Sequence, residues 1–243
     1  MDADYGQAYR DLYRRHWWWR ARESLIVRTL RARLAGRRGN VLDVGCGDGL
    51  FFDRLAEFGD VVEGVEPAAA LVSSDGPHRG AITIAPFDER FRPGKRYALI
   101  VMLDVLEHMP EPARALRHAL SLLEPDGTFL ATVPAFEALW TTHDDVNHHY
   151  TRYTRASFAA LAAESGLRID AARYFFHWTF PAKLLTRALE AVTRPTPASP
   201  RVPPAAVNEA LYRLSLLEQR TLGRLPLPFG SSLMVVGGRA ADG

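Results

Sequence analysis

The chain predicts an α/β protein built on a doubly wound, mostly parallel sheet. Three observations carry that expectation. Short apolar, β-branched runs recur at residues 40–44, 60–65, 81–84, 97–103 and 127–133, with helix-like segments between most of them, which is the pattern of βαβ units. The first run leads straight into a glycine-rich turn, VLDVGCGDG, that opens toward a helix. The second run ends on Glu66, where an acid reaching the two ribose hydroxyls of a nucleotide must sit. With 243 residues, 47% apolar and 24% charged, the chain has an ordinary globular balance rather than a disordered one.

Each element has a local reason. Residues 1–38 read as an N-terminal helical arm carrying ten arginines up to residue 40 against Asp2, Asp4, Asp11 and Glu23. Such an arm presents a solvated arginine face, although the same excess could attract phosphates or an anionic membrane surface. Within it, HWWWRARE is either an aromatic helix packed on the body of the protein or a lid that includes Trp18 and lines a pocket for a cofactor or apolar acceptor. Residues 39–180 form the core. Gly45, Gly47 and Gly49 let the backbone turn tightly and approach a ligand that a Cβ would displace, and the helix start beyond them offers unpaired N–H groups to an anionic group. In PEPARALRHALSLLEPDG, Pro112 suits a first turn, Ala115, Leu116, Ala119 and Leu122 repeat at helical spacing, and Pro125 and Gly127 stop the helix.

After residue 133 the alternation lapses. Residues 134–154 are polar and aromatic; a helix over 155–165 stops at Gly166, and a strand over 168–176 follows. Residues 181–230 read as a helical insertion, with helices near 181–192 and 205–222 joined by TRPTPASPRVPP, which is too proline-rich to be helical. A last strand covers 231–238. No break in composition divides two cores, so residues 1–243 are expected to form one domain. The longest apolar run, 97–103, is too short to span a bilayer, and the acidic start lacks a secretory profile, so a cytoplasmic location is expected. The single cysteine, Cys46, excludes an internal disulfide and any multi-cysteine metal site.

Four stretches go beyond spacing: VLDVGCGDG, the acid in VVEGVEP, the run YALIVMLDVLEHMPEPARALRHALSLLEPDGTFLATVPA, and HYTRYT followed by a helix and ESGL. Together they resemble the class I S-adenosylmethionine-dependent methyltransferases, and in particular a bacterial subgroup associated with small molecules or glycans, to which HWWWRARE is also similar. The resemblance implies a Rossmann-like sheet with an antiparallel final strand, S-adenosyl-L-methionine as donor and S-adenosyl-L-homocysteine as product. It matches Asp43, Gly45 and Gly47 to the loop around the methionine part of the cofactor, with Cys46 between them equally readable as a small packed side chain. Glu66 matches the ribose acid, and Asp88 the adenine contact, though Asp88 reads as well as a turn residue. Leu103 and Asp104 fall beside the sulfonium and His108 one helical turn later. Thr151 departs from the pattern, standing where an arginine is expected before Arg152.

Methyl transfer from a sulfonium is an in-line displacement, so the protein mainly has to hold the reacting atoms and exclude water. A hydroxyl acceptor must also lose a proton, for which histidine suits neutral pH. The stretch THDDVNHHYTRYT leaves the edge of the sheet where ligands bind in doubly wound folds. His143 and His149 are the candidate bases, and Trp140, Tyr150, Arg152, Tyr153 and Trp18 the candidate acceptor wall. A metal site from His143, Asp144, His148 and His149 lacks a recognisable zinc spacing and is not expected; a purely structural loop is the other alternative. O-methylation of a small-molecule acceptor is the resulting expectation. The alternatives are N- or C-methylation, an NAD-dependent oxidoreductase, against which Leu50 stands where the dinucleotide fingerprint needs a third glycine or alanine, and a non-catalytic binding subunit. Nucleic acid is not an expected partner, because no RNA-binding module is present. The Leu-rich faces of the insertion leave a peripheral membrane contact open.

Overall fold

The computed structural model describes residues 3–193 and 201–240. Its centre is a seven-stranded sheet in the order β3-β2-β1-β4-β5-β7-β6, formed by β1 (Asn40–Val44), β2 (Val61–Glu66), β3 (Ile82–Ile84), β4 (Tyr97–Leu103), β5 (Leu123–Pro134), β6 (Leu167–Phe175) and β7 (Ser232–Arg239). Neighbours among the first five pair in parallel, while β7 runs antiparallel to both β5 and β6. The strand order reverses between β1 and β4, which creates the crevice at their carboxyl ends.

Both faces of the sheet are covered, which is why the central strands are continuous apolar runs rather than alternating ones. Along β4, Ile100 and Met102 face one core with Leu116 of α4 (Pro112–Leu122) and Phe158 of α6 (Arg155–Ser165). Leu99 and Val101 face the other, with Ile26 and Leu30 of α2 (Trp17–Leu34) and Phe52 and Leu55 of α3 (Phe52–Leu55). The helix expected after the glycine turn is thus a single turn, and the apolar support it would have given comes from α2.

The arm consists of α1 (Ala3–Arg15) and α2, which starts immediately after His16; the His16 ring accepts from the Trp18 N–H at 3.2 Å as a cap. Most arginines of α2 are exposed, as an amphipathic helix requires, but Arg22 is 5% exposed and turned inward. That corrects the expectation of a wholly solvated arginine face. The second insertion helix, α8 (Ala205–Arg220), explains the rest: it lies along α2, with Asn208 Oδ1 accepting from Trp17 N at 2.8 Å and Gln219 Nε2 donating to the Ala21 carbonyl at 2.8 Å. The first insertion helix, α7 (Thr179–Thr193), leaves Leu185, Leu189 and Val192 exposed. Residues 194–200 of the proline-rich linker lie outside the described residues. Among the described residues, no helix is long and apolar enough to cross a membrane.

Candidate cofactor and acceptor site

The cofactor half is built by three strand ends. At the end of β1, Gly45 has φ +72°, and a Cβ there would stand 2.6 Å from a Val105 methyl, so the turn depends on glycine for both its conformation and its space. On the next strand, a Cβ at Gly64 would lie 2.3 Å from Cys46 Sγ. Cys46 is therefore packed against bare backbone, and burial with the nearby Asp43 and Glu66 pushes its thiol far up. Glu66, at the end of β2, accepts from Gly47 N at 2.9 Å and from Ala68 N at 2.8 Å, tying the carboxylate to the glycine turn. Burial raises its pKa and those two bonds oppose the rise.

Asp43 is 4% exposed, and burial pushes its carboxyl up to about 8, opposed by Arg22 and reinforced by Glu66. With a folded pKa above the ordinary 3.8, the folded state keeps a proton that the unfolded state has released. Stability is full below the unfolded value and falls as pH rises toward 8, by at most about 1.4 kcal/mol per pH unit per group. Asp43→Asn is expected to remove this decline, raising the melting temperature of the ligand-free protein more at pH 8 than at pH 5. A variant that melts lower than the parent chain at pH 8 would contradict the assignment.

At the end of β4, Asp104 has φ +57°, uncommon for a residue with a side chain. Its N–H donates to the Thr132 carbonyl at 2.9 Å, Thr132 Oγ1 donates to Oδ1 at 3.2 Å, and Oδ2 pairs with Arg22. The Arg22 guanidinium also lies over the Trp18 ring, 4.9 Å from its centroid. The arm thus delivers a buried cation to the strand edge. Farther along the arm, Arg10 lies 3.3 Å from Asp48 Oδ2 in the glycine turn, and Tyr9 lies next to Gly47.

The candidate acceptor half is built on a 3-10 turn, Leu106–His108, shortly after β4 and on α5 (Thr142–Val146). Asp144 is fully buried. Its Oδ1 lies 2.9 Å from Arg152 Nε and 2.8 Å from His149 Nδ1, and its Oδ2 accepts from Arg152 Nη2 at 2.9 Å and Thr141 N at 2.8 Å. Burial alone would raise this carboxyl, but the bonds from His149 and Arg152 outweigh it and hold it well below the usual carboxylate range. The rings of His149 and His108 meet edge to face at 4.6 Å. Glu107 is 1% exposed, burial raises it to about 8, and its Oε2 has no hydrogen-bond partner among the described residues.

Glycine turn, ribose-type acid and β4 terminus thus converge at the switch point of the sheet. Residues 18–172 match a family model described as a methyltransferase domain. The chain belongs to the class I methyltransferase-domain family. Over 181 residues it is 30% identical to a ubiquinone biosynthesis O-methyltransferase of Xanthomonas euvesicatoria, covering 65% of this chain and 74% of that one. It is 27% identical over 145 residues to the protein of the same name from Coxiella burnetii, covering 52% of this chain and 62% of that relative, which is under two thirds of the relative's length. A Haloferax volcanii methyltransferase solved with the Trm112 methyltransferase activator superposes with a TM-score of 0.59 at 18% identity, over 100% of this chain and 99% of that one. An S-adenosylmethionine-dependent methyltransferase of Clostridium acetobutylicum gives 0.57 at 8% identity, over 91% and 92%. At these identities the two structures establish the shared fold alone.

In this methyltransferase-domain chain, the residues singled out from sequence separate into groups. Asp43, Gly45, Cys46, Gly47, Glu66, Leu103 and Asp104 all lie at the carboxyl ends of β1, β2 and β4 or in the turn after β1, with Trp18 beneath Arg22. They suit S-adenosylmethionine: the turn is bare where a Cβ would intrude, and Glu66 presents a carboxylate at the neighbouring strand end. Asp88 sits in the loop after β3, its Oδ1 accepting from Arg90 N at 2.9 Å, the geometry of a turn residue. On the acceptor side, Arg152 and Tyr153 are buried rather than available to a ligand: Arg152 is held by Asp144 and donates to the Ala135 carbonyl at 3.1 Å, and the Tyr153 hydroxyl donates to the Leu106 carbonyl at 3.2 Å. Tyr150 is 64% exposed, and Trp140 Nε1 donates to Asp145 at 2.8 Å. His143 is exposed on α5 with its ring beside the Asn147 amide at 3.2 Å.

The residues that the sequence reading passed over are Arg22, Glu107 and Tyr9. The Trp18, Arg22 and Ile26 spacing of four is the one local hint that Arg22 lies on the inward face of α2.

Proposed function

We propose that the chain transfers the methyl group of S-adenosylmethionine to a hydroxyl of a small-molecule acceptor, with His149 as the group that takes the proton. The observation that supports this is the Asp144–His149 pair beside the end of β4. A buried, ionised carboxylate on Nδ1 holds the ring in one tautomer, leaves Nε2 as the proton acceptor and stabilises the imidazolium that results. Arg152 fixes Asp144 from behind, so His149 is positioned before any acceptor arrives. The bound donor supplies an electrophilic methyl on sulfur. Around it, Glu66 would hold the ribose hydroxyls, Asp43 and the glycine turn the methionine part, and the arm residues Tyr9 and Arg22 would keep water out. The names of the relatives support oxygen as the methylated atom, and the packing of α8 on α2 supports reading the whole chain as one catalytic domain.

The test separates the two histidines. With a catechol as probe acceptor, His149→Ala is expected to lower turnover by about 10²–10⁴-fold while S-adenosylhomocysteine affinity stays within about twofold. His143→Ala should behave like the parent chain, because its ring faces Asn147 on an exposed surface. Unchanged turnover in His149→Ala would remove the base role. Calorimetric binding of NAD, with none of S-adenosylhomocysteine, would remove the methyl-transfer reading itself.

A further inference from the structure

We infer that Glu107, His108 and His149 form a binding site for a divalent transition-metal ion. This set differs from the four loop residues weighed from the sequence: it shares only His149 with them and takes its other members from the turn after β4. Three observations meet here. One ligand atom from each residue lies within 4.8 Å of the other two, a spacing that a single ion can bridge. Glu107 is 1% exposed and its Oε2 has no partner among the described residues. Ionised, that oxygen is a buried acceptor with no hydrogen-bond donor among the described residues, Arg22 and Arg152 acting on it only through space; protonated, it is a buried O–H without an acceptor among them, and either state is costly. A cation resolves both.

The third observation is the support behind the imidazoles. His149 Nδ1 is engaged by Asp144 at 2.8 Å, and the His108 ring is hydrogen-bonded to the backbone of Asn147. Each ring therefore has one nitrogen committed to an oxygen and one left for an ion, as in the carboxylate–histidine–metal arrangement that fixes a ligand's tautomer and orientation. The Asp144–Arg152 pair extends the support one shell further. Two imidazoles and one carboxylate favour zinc, cobalt, manganese or iron(II) over magnesium and calcium, which prefer all-oxygen sets. Three protein ligands leave a coordination position open, and the exposed His108 provides the route by which an ion or an acceptor oxygen reaches it.

An ion here would occupy the His149 nitrogen that otherwise accepts a proton. The base role belongs to the metal-free protein and the ligand role to the loaded one, in which an acceptor hydroxyl on the ion would ionise more readily. Binding itself needs neither donor nor acceptor, so it stands or falls apart from the methyl-transfer reading: loss of S-adenosylhomocysteine binding would sink that reading and leave this one untouched.

The experiment is titration of the chelator-stripped full chain with Zn²⁺ and Co²⁺, followed by calorimetry and, for Co²⁺, by its visible absorption bands. The expected result is one ion per chain, with Co²⁺ bands indicating nitrogen ligation and Mg²⁺ binding at least about tenfold more weakly. Glu107→Gln and His149→Ala are each expected to weaken Zn²⁺ binding by at least about tenfold, with circular dichroism melting used to confirm that both fold. Absence of stoichiometric Zn²⁺ or Co²⁺ binding by the parent chain overturns the proposal, as does binding undiminished in both variants or tighter binding of Mg²⁺. The parent-chain spectrum decides the matter even if a variant fails to fold.

Discussion

Asp144→Ala is expected to destabilise the protein by about 3–5 kcal/mol, the usual cost of breaking a buried ion pair by removing one partner. Asp144 is fully buried and the Arg152 side chain is 1% exposed. Without the carboxylate, the guanidinium keeps the Ala135 carbonyl as its one hydrogen-bond acceptor among the described residues, so most of the loss is a desolvated charge left without its hydrogen-bonded counter-ion rather than the net worth of the pair. The His149 ring and the first turn of α5, capped through Thr141, lose an acceptor in the same step. Urea denaturation near neutral pH measures this, and a loss below about 1 kcal/mol would mean that the pair is not desolvated as described. The pH dependence gives a second check. Asp144 has a folded pKa below its unfolded value, so its contribution is present above the ordinary carboxylate pKa and is lost as pH falls toward the folded one. The parent chain should therefore lose stability on acidification more steeply than Asp144→Ala does.

Glu66→Ala is expected to lower affinity for S-adenosylhomocysteine by roughly 30- to 1,000-fold, the loss of about 2–4 kcal/mol that follows from removing charged hydrogen bonds to two hydroxyls. In the structure the same carboxylate accepts from Gly47 and Ala68, so it also anchors the glycine turn to β2. Alanine leaves both N–H groups without that acceptor, and part of the affinity loss would come from a looser turn. Glu66→Gln separates the two effects: its amide oxygen can still accept one backbone bond, while the charge that favours hydroxyl donors is gone. Calorimetric titration of both variants reads the result. Affinity within about twofold of the parent chain for Glu66→Ala would reduce Glu66 to an anchor of the turn.

The strands of the sheet were legible from sequence to within a residue at most boundaries. The run at 97–103 is β4 as observed, and 60–65 and 81–84 each begin one residue before β2 and β3. A strand buried on both faces has to be an unbroken apolar run, and such a run cannot be hidden by context. The glycine turn was equally legible, because a positive φ and the close approach of Val105 at Gly45 exclude nearly every other residue. The helix expected after that turn is present as Phe52–Leu55, and its shortness was not legible from the sequence. Ile26, Val27 and Leu30 of α2 share the core with Phe52 and Leu55, so the apolar cover on this face of the sheet is provided largely by α2.

The acceptor side was legible only in outline. Its histidines were visible as a cluster, yet THDDVNHHYTRYT does not say that Asp144 turns inward to pair with Arg152, that His143 turns outward, or that His149 lies against His108, with Glu107 nearby, in a turn some forty positions earlier. Arg22 shows the same limit: among ten arginines near the N-terminus, one is buried because α2 docks across the end of β4, and nothing in its own neighbourhood distinguishes it strongly from the rest.

By itself, then, the sequence determined the sheet, the glycine turn, the acid at the second strand end and the family, since each depends on interactions within a few residues or on burial of a whole segment. Tertiary structure alone decided which charges are buried and what they pair with: Arg22 with Asp104, Asp144 with Arg152 and His149, and Glu107 with one carboxylate oxygen, Oε2, left without a hydrogen-bond partner among the described residues. The physical reason is that desolvation and pairing of a charge depend on which distant elements close over it, and that closure is a property of the packed fold rather than of any local stretch.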